Sequence, residues 1–375
     1  MVDLARKNLL HDRLRFFTTV LGVAFAVLLV FVQIGLFSGL LRNATVTIEN
    51  MNADLWVTSR NTPNIDFAHT YPESLLYRVR AIPGVARADN LIVSYMDIQL
   101  PNGVSEEMLV YAMKDFKEWN FPWHVVEGAP EDLRRGNYVF MDDSATQRFG
   151  PFSTGEYREF VGKRLKIIGR TRDALSFTTT PIAFLDYDLA QRLAPEELGR
   201  STTYTVIKLK PGADVEQVRA QLQKELPYND VHTGSEWAKI SRNYWVTSTG
   251  LGFNMILTVF LGCLVGVVVV AQTLYTSTME HLREFGTLKA IGGSNRVIYG
   301  ILARQALISA VVGFVLGFGP ALLARRLVAN VGFHLMLTPP LIVATFVGTV
   351  LLCLAAAMLS FHKVARIDPA LVFRT

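Results

Sequence analysis

The sequence predicts a membrane protein, an α-helical four-span bundle with a large extracytoplasmic α+β domain between the first and second spans. Three observations carry that reading. Half of the 375 residues are hydrophobic and only 18% are charged, where soluble proteins carry about a quarter. The apolar excess is gathered into four runs, 16–41, 251–275, 297–323 and 341–361, each long enough to cross about 30 Å of hydrocarbon. The long stretch between the first two runs, 42–248, has instead the charge and turn content of a folded domain. Four such runs in one chain argue against the buried core helices of a large soluble protein.

The net charge of +5 does not point to nucleic acid, because the basic residues crowd the ends of the apolar runs and read as topology signals. Both cysteines, Cys263 and Cys353, lie inside apolar runs. That leaves no disulfide framework and no zinc spacing, only buried packing.

The N-terminal segment, 1–15, carries Arg6, Lys7, Arg13 and Arg15. The run that follows, 16–41, exceeds the about 7–15 apolar residues of a cleaved secretory signal, so it reads as a retained anchor with its basic end in the cytoplasm. In the polar region, Asp54–Ser59 reads as a strand and Glu73–Ala81 as a helix stopped by Pro83-Gly84. Leu91–Leu100 and Glu107–Met113 read as further strands. Near its far end, Thr202–Lys210 is strand-like, Pro211-Gly212 turns, Asp214–Leu226 is an amphipathic helix and Asp230–Thr233 is extended. Strand–helix–strand patterns thus bracket the region. The middle, about 114–200, reads as an inserted subdomain with strands at Tyr138–Met141, Arg164–Gly169 and Pro181–Leu185 and an aromatic cluster of Trp119, Phe121, Pro122 and Trp123.

Four crossings put both termini on one side. His281, Arg283, Lys289 and Arg296 follow the second span, and Lys363, Arg366 and Arg374 follow the fourth. With the N-terminal cluster they face the cytoplasm if the large domain lies outside; Arg325 and Arg326 alone run against that orientation. Arg304 and Gln305, in the first turns of the third span, snorkel toward the cytoplasmic interface. The tail, 362–375, is then cytoplasmic.

Between the second and third spans lies a short charged stretch, 280–294. On helical spacing Leu282, Phe285, Leu288 and Ile291 form one stripe, while Glu280, Arg283, Glu284 and Thr287 take the other side, with Glu280 and Arg283 close enough to pair. Gly292-Gly293 ends the helix and Ser294 can cap the next. Such a helix docks into a partner's groove or lies on lipid as a plain connector; the residues alone leave both open.

Small residues recur at i,i+4 within three spans: Gly35 with Gly39, Gly262 with Gly266, Gly313 with Gly317. These pairs let helix backbones approach closely, as in a packed bundle shared between protomers. Gln33, Asn254 and Gln272 are polar residues of the first two spans, suited to interhelical hydrogen bonds or to contact with a passing substrate.

The chain contains no G-x-x-x-x-G-K-S/T phosphate loop, no H-E-x-x-H, no G-x-S-x-G and no C-x-x-C. Its outer histidines, His69, His124 and His232, are scattered. With no acidic residue inside a span and no internal repeat, a proton-coupled carrier is a poor fit. If the protein moves a substrate, another chain supplies the energy.

One span, an outer domain of about two hundred residues and three further spans resemble the MacB/FtsX-type permeases of ABC transporters over the whole chain. Glu280-x-x-Arg283-Glu284-x-Gly286-x-Leu288-Lys289-Ala290-Ile291-Gly292 resembles the family's cytoplasmic loop signature. Val364–Ala370, with Arg366, Asp368 and Pro369, is similar to its closing segment, and Pro83-Gly84-Val85 and Pro211–Val215 to its outer-domain turns. Ala24–Ala26, Phe31–Gly35 and Ala53–Leu55 look most like the DevC branch, linked to glycolipid export.

The resemblance implies a MacB-like periplasmic domain and a permease subunit with no catalytic residue, metal or cofactor of its own. ATP and magnesium would sit on two separate ABC ATPase subunits. Glu280, Arg283, Glu284, Phe285, Gly286, Leu288, Lys289, Ala290, Ile291 and Gly292 would form the coupling helix. Two copies would pair through their first two spans, with Gln33 and the glycine pairs at the packing surfaces. ATP-driven closure would be transmitted mechanically to the periplasmic domains, passing lipids, glycolipids or other amphiphiles to a membrane-fusion protein and an outer-membrane channel. The location implied is the bacterial inner membrane. Alternative roles within the family are a regulatory transmitter that activates a periplasmic hydrolase, and a lipoprotein-releasing permease.

Overall fold

The computed structural model describes residues 13–280, 284, 287, 294–329 and 333–365, with side chains placed as far as residue 359. It divides into two compact units, one of residues 40–251, the other of the described residues up to Gly39 and from Gly252 onward. The chain enters on α1 (Arg13–Asn43), an apolar helix of 31 residues.

After a short helix α2 (Val46–Asn50), the outer unit begins with β1 (Leu55–Ser59), β2 (Tyr71–Pro72), α3 (Leu75–Ala81) and β3 (Val85–Gln99). It ends with β11 (Tyr204–Leu209), α7 (Val215–Glu225) and β12 (Asn229–Thr233). The two strand–helix–strand units interlock in the order β12-β1-β11-β3, every neighbour antiparallel, which is a split βαβ arrangement used twice. Alternation along the strands decides the faces. Leu55, Val57, Ile207 and Val231 lie against Val79 of α3 and Val218 and Leu222 of α7. Trp56, Tyr204 and Val206 point to the opposite face. Asp214 caps α7 by accepting from the N–H groups of Glu216 and Gln217.

Between these halves come β4 (Ser105–Met113), β5 (Val125–Glu127), β6 (Tyr138–Asp142), α4 (Ala145–Phe149), β7 (Tyr157–Phe160), β8 (Lys163–Thr171) and β9 (Ile182–Asp186). They are followed by α5 (Tyr187–Leu193), α6 (Pro195–Leu198) and β10 (Ser201–Thr202). The pairing runs β3-β4-β9-β6-β8-β7, and β7 returns to β3 through Ile98 and Phe160. Six strands therefore close into a small barrel. Met96, Ile98, Met108, Val110, Phe160 and Ile167 belong to its buried core.

The inserted region expected over 114–200 does not stand apart from the bracketing frame. β3 is 15 residues long and serves both, pairing with β11 through one half and with β4 through the other. The aromatic cluster read from the sequence forms the joint. Phe184 on β9 lies 5.1 Å from Phe121 and 5.0 Å from Trp123, centre to centre. Trp119, Phe121 and Trp123 share one buried core with Trp56, Tyr204 and Trp237 of the frame.

Trp237 belongs to α8 (Gly234–Asn243), which opens with a reciprocal capping box between Thr233 and Glu236. A π-helical turn, Tyr244–Ser248, follows. The remaining helices are α9 (Leu251–Glu280), α10 (Asn295–Ala329) and α11 (Pro339–Ala365). With α1 they are the four described helices long and apolar enough to cross a membrane. They contain the four runs read from the sequence and extend each by a few residues. Phe31 of α1 packs on Phe314 and Phe318 of α10, and Phe314 on Phe346 of α11.

Candidate functional site

The site expected from the sequence is the charged stretch after the second span. Of its residues, Glu280, Glu284 and Thr287 are described and helical, with Glu284 and Thr287 exposed. Arg283, Phe285, Gly286, Leu288, Lys289, Ala290, Ile291 and Gly292 lie outside the described residues, as do Arg366, Asp368 and Pro369 of the closing segment. Glu280 is the last residue of α9, and its carboxylate accepts both terminal nitrogens of Arg15 in the first turn of α1. This bidentate pair joins the start of the first span to the end of the second. Fork-to-fork geometry fixes orientation as well as charge, although both partners are part-exposed and such pairs contribute little to stability. Sequence spacing offers Arg283 as a partner of Glu280, and Arg283 lies outside the described residues. Arg15, 265 positions away, could not have been read from local pattern.

The glycines show where backbones come close. On α9, Gly262 faces Leu29 and Gly266 faces Ala26, so this pair seats α1. On α10, a Cβ at Gly313 would meet the Val23 side chain, and one at Gly317 would stand 2.5 Å from the Ala24 carbonyl oxygen. This pair seats α1 from another side. The nearest atoms to Gly35 and Gly39 belong to Leu335, Met336 and His334, in the non-helical segment that precedes α11. The Met336 N–H donates to the Gly35 carbonyl at 3.0 Å. An i,i+4 pair admits any backbone, extended as readily as helical, which spacing alone does not distinguish. Gly22, not singled out from the sequence, lies against Val269 of α9.

Gln33 is half-buried, and Gln272 and Asn254 are exposed. Gln305, expected to snorkel to the interface, is instead buried in the bundle with Ser309 one turn on. Cys263 and Cys353 both line an apolar hollow of about 220 Å3 between α1, α9 and α11. Cys353 is buried and Cys263 half-buried, and the apolar lining around them fits a packing role.

In the outer unit, His232 stacks flat on Trp237 at 5.3 Å, and burial lowers its pKa. Among the described residues no three His, Cys, Asp or Glu side chains gather as metal ligands would. Asp142 is buried where β6 ends. It accepts from the N–H groups of Ser144 and Ala174 and the hydroxyls of Ser144 and Thr171. Burial still raises its pKa. It anchors a turn of the barrel.

Comparison with known proteins agrees with this architecture. The family model described as MacB-like periplasmic core domain matches residues 16–225, and that described as FtsX-like permease C-terminal matches residues 256–369. An uncharacterized ABC transporter permease of Mycobacterium tuberculosis (strain ATCC 25618 / H37Rv) is 24% identical over 379 residues, covering 100% of this chain and 99% of that protein. Another, from Mycobacterium bovis (strain ATCC BAA-935 / AF2122/97), is 24% identical over 361 residues, 94% of this chain and 93% of its own. Among solved structures, the periplasmic region of MacB from Actinobacillus actinomycetemcomitans is similar at 12% identity with a TM-score of 0.40, covering 52% of this chain and 96% of that one. Two family models that between them take in the first span, most of the outer domain and most of the last three spans place the chain: it is a multi-pass ABC transporter permease of the MacB/FtsX type, and membership implies an ATPase partner.

Proposed function

We propose that this chain is the membrane subunit of an ATP-driven exporter that works by transmitting motion to its outer domain. Two copies, paired through their first two spans, would dock two ATPase subunits from the cytoplasmic side of a bacterial inner membrane. Residues 280–292 would be the coupling helix, with the apolar stripe supplying burial in the ATPase groove and Arg283, Glu284 and Lys289 the register.

The observation that carries the reading is the Arg15–Glu280 pair. A push on the segment after α9 has a short path to the foot of α1, the helix that runs into the outer domain. The glycine contacts of α9 and α10 on α1 extend that path into rigid packing. Rigid-body or shear movement of packed helices is an established way for such a push to travel. Along α9, Phe253, Ile256, Phe260 and Val268 remain exposed within one chain, an apolar face fit for lipid or for a second copy. The cargo proposed is a lipid, glycolipid or other amphiphile, handed to a membrane-fusion protein and an outer-membrane channel.

Co-purification tests the docking. Glu284→Lys and Gly286→Trp should each abolish recovery of the ATPase with the detergent-extracted permease while leaving the permease folded. Full ATPase recovery with both variants would refute the assignment of 280–292.

A further inference from the structure

Asp66 lies between β1 and β2, is 4% exposed, and has no basic side chain among its described partners. Its carboxylate accepts from the Tyr111 hydroxyl at 3.4 Å and the Phe177 N–H at 3.3 Å. Both bonds are at or beyond the long end of the usual range. Its own N–H donates to Asn64 Oδ1 at 2.9 Å. The titratable groups that face it are all phenols: Tyr95 from β3, Tyr111 from β4 and Tyr204 from β11. Tyr204 gives its hydroxyl to the carbonyls of Asn64 and Ile65. Glu107 and Arg148 act on Tyr95. Burial outweighs the two hydrogen bonds and pushes the Asp66 carboxyl up to about 7.

Two aromatic rings tie this carboxyl to the end of the domain. Phe177, whose N–H it accepts, stacks flat on Trp245, 3.9 Å between centres and 8° between planes. Phe67, the next residue in the chain, packs 5.7 Å from Trp245 and 6.1 Å from Tyr244. Trp245 and Tyr244 belong to the π-helical turn Tyr244–Ser248, which immediately precedes α9 in the chain. π turns are rare and form where neighbours impose them. Here the neighbours are Phe67 and Phe177, and both hang on Asp66.

We propose that Asp66 is a proton-operated latch on the turn that leads into α9. With the carboxyl neutral, Phe67 and Phe177 close on Trp245 and hold the turn. With it ionised, a buried charge without a cation draws residues 64–67 toward water, and the grip on Trp245 loosens. The protein therefore holds this turn more firmly in acidic than in alkaline surroundings, whatever its cargo.

The sign follows from linkage. Opened to water the carboxyl titrates near 3.9, and closed it titrates at about 7. Between those values only the closed form carries the proton, so opening becomes about tenfold easier per pH unit and levels off above about 7. Hydrogen exchange on the full-length protein in detergent micelles, corrected for intrinsic rates between pH 5 and 9, reads this directly. Protection of 64–67 and of 244–248 should fall together as pH rises to about 7, then flatten. Asp66→Asn should abolish that pH dependence and keep both segments protected throughout. Phe177→Leu should expose 244–248 at every pH while 64–67 keeps its titration. Protection in the wild type that is flat from pH 5 to 7 overturns the latch, as does a titration at 64–67 that 244–248 does not follow. Should Asp66→Asn fail to fold, the wild-type and Phe177→Leu profiles decide the matter.

Discussion

Replacing Gly317 by alanine tests the approach of α10 to α1. A Cβ there would stand 2.5 Å from the Ala24 carbonyl oxygen and 2.8 Å from Val27 Cβ, where ordinary contacts begin at 3.4 Å. The obstruction includes backbone, which cannot turn aside, so the helices must separate by about 1 Å. Overpacking of this kind costs about 1–3 kcal/mol, against which alanine's better helix propensity returns about 1 kcal/mol. Gly300, near the start of the same helix, has nothing within 4 Å of its added Cβ, so Gly300→Ala should gain about 1 kcal/mol with no penalty. The two variants should therefore differ by about 1–3 kcal/mol, roughly 5- to 150-fold in the unfolding equilibrium. Chemical denaturation of the purified permease in micelles measures this. If Gly317→Ala proves as stable as Gly300→Ala, the α1–α10 packing described above is wrong.

Arg15→Glu and Glu280→Arg should each lower ATPase stimulation in the reconstituted complex, and the double exchange should recover it. Thermal stability should move by no more than about 1 kcal/mol, because the pair is part-exposed; failure of the double exchange to recover stimulation would contradict the role given to this contact. Asp142→Ala would strand the buried N–H of Ala174 and the Thr171 hydroxyl. Its expected cost is about 1–3 kcal/mol for each donor left unsatisfied, read as a lowered denaturation midpoint of the outer domain, and an unchanged midpoint would refute the anchoring role of Asp142.

Much of this architecture is legible in the chain. The four apolar runs fall within α1, α9, α10 and α11, because hydrocarbon admits no other backbone than a hydrogen-bonded helix or closed barrel. β1, α3, β11, α7 and β12 announce themselves through alternation, helical period and Pro-Gly turns. The barrel does not. Its closure rests on Ile98 meeting Phe160, a pairing no local pattern contains, and β7 is too short for its alternation to stand out. The first part of β3 was hidden by Arg87, Asp89 and Asn90, which are polar because they face partners: Arg80 donates to Asp89, and Thr205 to Asn90. Only the capping box Thr233-x-x-Glu236 marks α8 in the chain, because the helix is short and mostly polar. Between the second and third spans the charged stretch is visible from composition, but the tie of Glu280 to Arg15 is not, since a salt bridge between distant helices leaves no periodic trace. Asp66 gave no signal either; a lone aspartate in a loop reads as surface until the fold buries it.

The central claim is that an ATPase engages the segment between α9 and α10 from the cytoplasm. A photo-crosslinking amino acid at position 284, exposed and helical, tests it in intact cells. The expected result is an ultraviolet-dependent adduct with an ABC ATPase subunit, identified by mass spectrometry, and, with Glu284→Cys, no modification of that thiol by a membrane-impermeant maleimide applied from outside. Labelling from outside, or irradiation that captures no ATPase, would contradict it.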